Sequence, residues 1–141
     1  MNAKTALSAL AAATFGLTGS AAFAADPEAG EQQWRQCRAC HMIAPPEGDA
    51  IQNGGRVGPN LYGVIGRQAG TVEGFRYSDA LVQAGEDGLV WDEESFVEYV
   101  QNPTAFIRDV TGDSSARSPM NFQMRSGAED MYAYLESLNG E

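Results

Sequence analysis

The sequence predicts an all-α domain. Three observations predict it. Apolar residues recur at helical spacing in several short segments. Most of these segments open on a residue that caps a helix N-terminus. No alternating apolar–polar run of strand length appears.

The elements follow in order. Lys4, the apolar run "ALSALAAATFGLT" at 6–18 and the small-x-small triplet Ala22–Ala24 read as a secretory signal peptide spanning 1–24. The run is too short to cross a bilayer. The remaining residues, 25–141, are the length of one domain. "DPEAGEQQW" opens a helix, with Asp26 as N-cap, Pro27 at the first helical position and Glu28 at the positive end. It is expected to run to about Arg38, with Trp34 on its buried face. Residues 44–76 hold eight glycines and three prolines and read as loop.

"SDALVQAG" reads as a short helix stopped at Gly85. "WDEESFVEYVQNP" reads as a longer one, capped by Asp92 and ended by Pro103, with Phe96, Tyr99 and Val100 on one face. "PTAFIRDV" adds a further turn. In the last helix Ser126 and Glu129 are expected to form a capping box. Met131, Tyr134, Leu135 and Leu138 then mark its buried stripe.

The charge is one-sided. Once Lys4 is removed, eight arginines face nineteen acidic residues, leaving −11 and not one lysine. Such a surface excludes nonspecific binding to nucleic acid or anionic lipid. No stretch beyond the signal is apolar enough to insert in a membrane. The protein is therefore expected to be exported to the periplasm and to act there as a monomer.

Few short helices and a long glycine-rich loop make a thin core, and a small domain of this kind needs a staple or a large cofactor. "CRACH", residues 37–41, answers that need. It holds both cysteines of the chain and its one histidine. On a helical turn Cys37, Cys40 and His41 face one side. C-x-x-C-H is the attachment pattern of c-type haem. Both thiols can be consumed as thioethers to the haem vinyl groups, with His41 beneath the iron. A zinc site would need a fourth ligand, and the chain has no further cysteine or histidine. A redox dithiol would need a βαβ context.

The opposite face of the iron requires a second ligand. Met42 adjoins His41 and cannot reach it, and Met131 belongs to the last helix's core stripe. Met120 and Met124, in the irregular stretch "ARSPMNFQM", remain, and position favours Met120.

Read together, "EAGEQQWRQCRACH", "GPNLYGVIGR", "WDEESFVEYVQNP", "PMNFQM" and "MYAYLESL" resemble, in order, the soluble class I cytochromes c, and among them the bacterial cytochrome c2 type. The insertions "IAPPEGDAIQNGG" and "RDVTGDSSARS" resemble the c2 type as well. Pro119 departs from the pattern, in which a lysine often precedes the axial methionine. The resemblance implies short helices wrapped around one haem c. It implies Met120 as the distal ligand and Pro59 as the carbonyl that holds the His41 ring. It implies Arg67, Tyr77 and Trp91 as groups near a buried propionate, and Tyr99 as a phenol that reaches the methionine sulfur. It also implies a close crossing of the first and last helices at Gly30 and Tyr134.

The function expected is outer-sphere electron transfer at high potential, because two filled axial positions leave no place for substrate. No enzyme activity is expected. The alternative is a haem-based sensor or gas-binding protein, which would need a displaceable ligand. The resemblance suggests a quinol–cytochrome c oxidoreductase as donor and an oxidase, reaction centre or reductase as acceptor. Arg38, Arg56, Arg117 and Arg125 are expected to form a basic rim for transient docking at the haem edge.

Overall fold

The computed structural model describes residues 24–139. The expected signal peptide lies outside them, but for Ala24. Among them are five α-helices: α1 (Pro27–Gln33), α2 (Asp79–Glu86), α3 (Glu93–Gln101), α4 (Pro103–Thr111) and α5 (Ala128–Ser137). Among the described residues there is no strand, only the isolated bridges Ile43–Gln52 and Gln68–Val90 that pin loops.

Local chemistry sets most of the helix starts. Asp26 accepts from the Glu28 and Ala29 amides, Ser78 from Leu81, and Asn102 from Ala105. Asp92 and Ser95 form a reciprocal capping box on α3. Pro103 does not simply stop α3; it occupies the first turn of α4, where its missing amide costs nothing.

Three expectations need correction. First, α1 ends at Gln33, and a 3-10 turn (Trp34–Gln36) follows. The Trp34 carbonyl accepts from both Cys37 and Arg38, so the last turn tightens and satisfies carbonyls that would otherwise be left over. Second, α2 passes through Gly85 to Glu86. Third, Ser126 and Glu129 form no capping box. The residue before α5 is Gly127, in the left-handed conformation at φ +73°, and no side chain caps the helix. A Cβ at Gly127 would meet the end of the Gln33 side chain, and the left-handed backbone itself favours glycine there.

Helices α1 and α5 cross in close contact. A Cβ on Gly30 would lie 2.7 Å from the Tyr134 Cβ and would strike the Asp130 backbone. The Asp26 amide donates to Asp130 Oδ1 at 2.9 Å across the same contact. Helix α3 packs on α5 and α4, and α2 packs on α4. Trp34, Phe96, Val100, Ile107, Met131 and Leu135 fill the space between them. The long loop 44–76 closes over one side, tied to the crossing where Gln52 Nε2 donates to the Tyr134 hydroxyl (2.9 Å).

Candidate haem site

The 37–41 segment is a single turn. The Cys40 and His41 amides both donate to the Cys37 carbonyl, at 3.1 and 3.0 Å. Cys37, Cys40 and His41 therefore leave the backbone together. The following loop wraps this turn through Gly55 N to Arg38 O, Gly58 N to Cys40 O and Leu61 N to Met42 O.

His41 is held from two sides. Its Nδ1–H donates to the Pro59 carbonyl at 2.8 Å, since a carbonyl can only accept. Gly58 lies against the ring: a Cβ there would come within 2.6 Å of Nδ1 and 2.7 Å of Nε2. Burial pushes the imidazole below the ordinary histidine range, against the opposing pull of the Pro59 bond. The ring is thus neutral, with Nε2 as its free lone pair, which is the form that ligates a metal.

The cysteines differ. Cys37 is half-buried and Cys40 exposed, and no disulfide joins them. Burial, with Cys40 adding to it, pushes the Cys37 thiol up to about 11. Its surroundings favour an uncharged sulfur, and a thioether is one.

Loop pairing brings Arg67 and Trp91 together, and Tyr77 lies near enough to feel the Arg67 charge. The Trp91 amide donates to the Arg67 carbonyl (3.0 Å), and Gly66 N donates to the Trp91 carbonyl (2.8 Å). The Arg67 guanidinium caps the loop itself, donating to the Tyr62 and Asn60 carbonyls at 3.0 and 3.2 Å. Burial depresses its pKa and raises that of Tyr77, while each group's charge partly offsets the shift of the other. Trp91 is buried and packs on Tyr99 and Phe106, with ring centroids 5.0 and 6.1 Å away.

The two methionines separate. Met124 is 2% exposed, within the core, and its amide donates to the Val100 carbonyl. Met120 is half-buried at the core's margin.

Three residues at this site were not singled out in the sequence. The Ser118 hydroxyl accepts from the Met120 amide at 3.1 Å and pairs with the Tyr99 hydroxyl at 3.0 Å. Thr104 Oγ1 receives the Ser118 amide. Asn60 folds its loop by accepting from Ala44 N and Tyr62 N and donating to the Ala44 carbonyl. Only Asn60 could have been suspected, from its place in "GPN". Arg38, Arg56, Arg117 and Arg125 are all exposed.

This donor set fits a covalent haem. It offers two thiols and a neutral imidazole on one turn, with the imidazole's second nitrogen already occupied. Among the described residues, no three histidine, cysteine, aspartate or glutamate side chains converge as they would to hold a bare metal ion. No described helix is long and apolar enough to cross a membrane.

No protein-family model matches the chain. Individual proteins do. Cytochrome c-551 of Roseobacter denitrificans is 56% identical over 115 residues, covering 82% of this chain and 82% of its own length. Cytochrome c2 of Rhodovulum adriaticum is 52% identical over 116 residues, covering 80% of this chain and 92% of its own. The solved structure of cytochrome c2 from Rhodobacter capsulatus superposes with a TM-score of 0.78 at 42% identity, over 80% of this chain and 97% of that one. By sequence, by fold and by its C-x-x-C-H turn, the chain belongs to the class I cytochromes c of the bacterial c2 type, electron carriers that bear one covalent haem c, here on Cys37 and Cys40.

Proposed function

We propose that the protein is a periplasmic, high-potential one-electron carrier with His41 and Met120 as the axial ligands of its haem iron. The observation that carries this reading is the bond from His41 Nδ1 to the Pro59 carbonyl. It fixes the tautomer and the orientation of the ring and makes Nε2 the more basic donor. Met120 supplies a thioether from the half-buried margin of the core, while Met124 is spent on packing.

Bound haem c supplies one-electron chemistry at its iron, and a thioether ligand raises the potential by favouring the ferrous state. The chain's own part is to orient the imidazole, to keep water away with Trp91, Tyr99 and Phe106, and to hold positive charge on Arg67. In this reading residues 1–24 direct export and residues 25–141 form the mature domain. The donor is a membrane-bound quinol–cytochrome c oxidoreductase, and the acceptor an oxidase, reaction centre or reductase.

An optical and redox titration of the purified protein, with Met120→Leu and Met124→Leu beside it, tests the ligand set. The ferric sulfur-to-iron charge-transfer band should disappear in Met120→Leu and persist in Met124→Leu. A ferrous wild-type form that binds carbon monoxide readily overturns the proposal.

A further inference from the structure

Asn53 and Gly54 lie on the loop that wraps the haem turn, between two pinned points. On one side Gln52 and Ile43 pair, the Gln52 amide donating to the Ile43 carbonyl at 3.0 Å and the Ile43 amide to the Gln52 carbonyl at 2.9 Å. On the other, the Gly55 amide donates to the Arg38 carbonyl at 2.8 Å. Between these points Asn53 and Gly54 are both exposed, the Asn53 side chain forms no hydrogen bond, and the Gly54 amide donates to nothing. The packing also demands the glycine: a Cβ at Gly54 would strike the carbonyls of Arg38 and His41.

An unrestrained asparagine followed by glycine is chemically labile, because no side chain screens the glycine nitrogen from the asparagine's amide carbon. The other described asparagines differ. Asn60 is held at both ends of its amide by Ala44. Asn102 caps α4 and precedes Pro103, which has no amide proton to lose. Asn121 precedes the bulky Phe122. The Asn139 side chain donates to the Ile65 carbonyl at 2.9 Å.

We propose that Asn53–Gly54 is a self-modification site, at which Asn53 of the folded protein converts to aspartate and isoaspartate, charging and lengthening the loop that clamps the haem turn. Hydroxide takes the Gly54 amide proton, and the nitrogen forms a bond to Asn53 Cγ. The bond from Cγ to Nδ2 breaks, and the leaving nitrogen takes a proton from water and departs as ammonia, restoring the hydroxide. Water then opens the cyclic imide. Cleavage at Cγ gives aspartate. Cleavage at the main-chain carbonyl carbon gives isoaspartate, whose main chain is one atom longer. No electrons are exchanged. Either product carries a carboxylate three residues before Arg56, and the longer one has to fit between the Gln52 and Gly55 pins.

The test keeps the purified holoprotein at mildly alkaline pH and samples it over weeks by peptide mass mapping and isoelectric focusing. The peptide holding Asn53 should gain about one dalton as a carboxylate replaces the amide. A more acidic band should grow at the same rate and run with Asn53→Asp. Both rates should rise about tenfold per pH unit, because loss of the amide proton comes first. Asn53→Gln, whose longer side chain must close a larger ring, should form almost none of the band. The isoaspartate fraction should unfold at a lower urea midpoint than Asn53→Asp, which has the charge without the added atom; equal midpoints overturn the loosening of the clamp. The modification site itself is overturned if the Asn53 peptide keeps its mass in the folded protein while the urea-unfolded chain converts. It is equally overturned if Asn121 or Asn139 converts first, or if Asn53→Gln forms the acidic band as fast as the wild type.

Discussion

Gly58 stands against the face of the His41 imidazole so closely that a single added carbon would sit 2.6 Å from Nδ1 and 2.7 Å from Nε2. No real Cβ keeps such a distance. With its other edge bonded to Pro59, the ring has no easy retreat. Gly58→Ala is therefore expected to turn the ring away from its carbonyl partner. Overpacking of this kind costs ~1–3 kcal/mol. A lower urea midpoint and a shifted haem spectrum are the expected outcome. An unchanged midpoint together with an unchanged spectrum would show that the contact is slack.

Met124 offers the contrasting case, a methionine whose role is packing. It is 2% exposed, and its backbone amide pins the loop to Val100. Met124→Ala should cost ~2–5 kcal/mol of stability, as truncation of a buried side chain does. The reduction potential should stay near that of the wild type. Equilibrium unfolding and a redox titration on the same sample decide it: a large drop in potential with little loss of stability would exchange the roles given to Met120 and Met124.

What the sequence conveyed depended on how local each signal was. Asp26 and Asp92 were legible as caps because their partners lie two or three residues away. The C-x-x-C-H turn was legible because its three side chains are bound to one another by spacing alone. The start of α5 was misread as a Ser126–Glu129 capping box, since a left-handed Gly127 stands at the cap position instead. Ser118 was invisible for another reason. Two of its three partners are 14 and 19 residues off, and a serine in an irregular stretch looks like any loop serine. The Arg67–Trp91 pairing likewise exists only once the two loop segments close on each other.

Tyr99 ties stability to alkaline pH. Burial raises its pKa, and the hydrogen bond with Ser118 offsets part of the rise. The folded protein therefore keeps the phenol's proton where the unfolded chain, titrating near ~10, has lost it. Between those two values the unfolded state binds fewer protons, so stability falls as pH rises. Urea midpoints measured from pH 8 to 11 should be level at first and decline above about pH 10. Tyr99→Phe should make that decline shallower, leaving what Tyr77 and Tyr134, also raised by burial, contribute. An identical decline in both proteins would mean that the Tyr99 proton is not held by the fold.

Arg38, Arg56, Arg117 and Arg125 are exposed, on the haem turn, the loop that wraps it and the methionine loop. They are four of the nine positively charged side chains on a chain with a formal net charge of −10. If they gather at one edge of so acidic a body, they create a dipole, and a dipole steers an approaching partner without net positive charge. An acidic docking site on a membrane redox complex suits such an edge. Replacing all four by glutamine should slow association with that complex roughly tenfold or more at low salt, and the slope of rate against ionic strength should flatten. Internal electron transfer after docking should change far less, since none of the four is placed at the iron. Rapid-mixing kinetics across a salt series separates the two steps. If the quadruple variant associates as fast as the wild type at every salt concentration, the four arginines are scattered surface charges and the partner is recognised by other means.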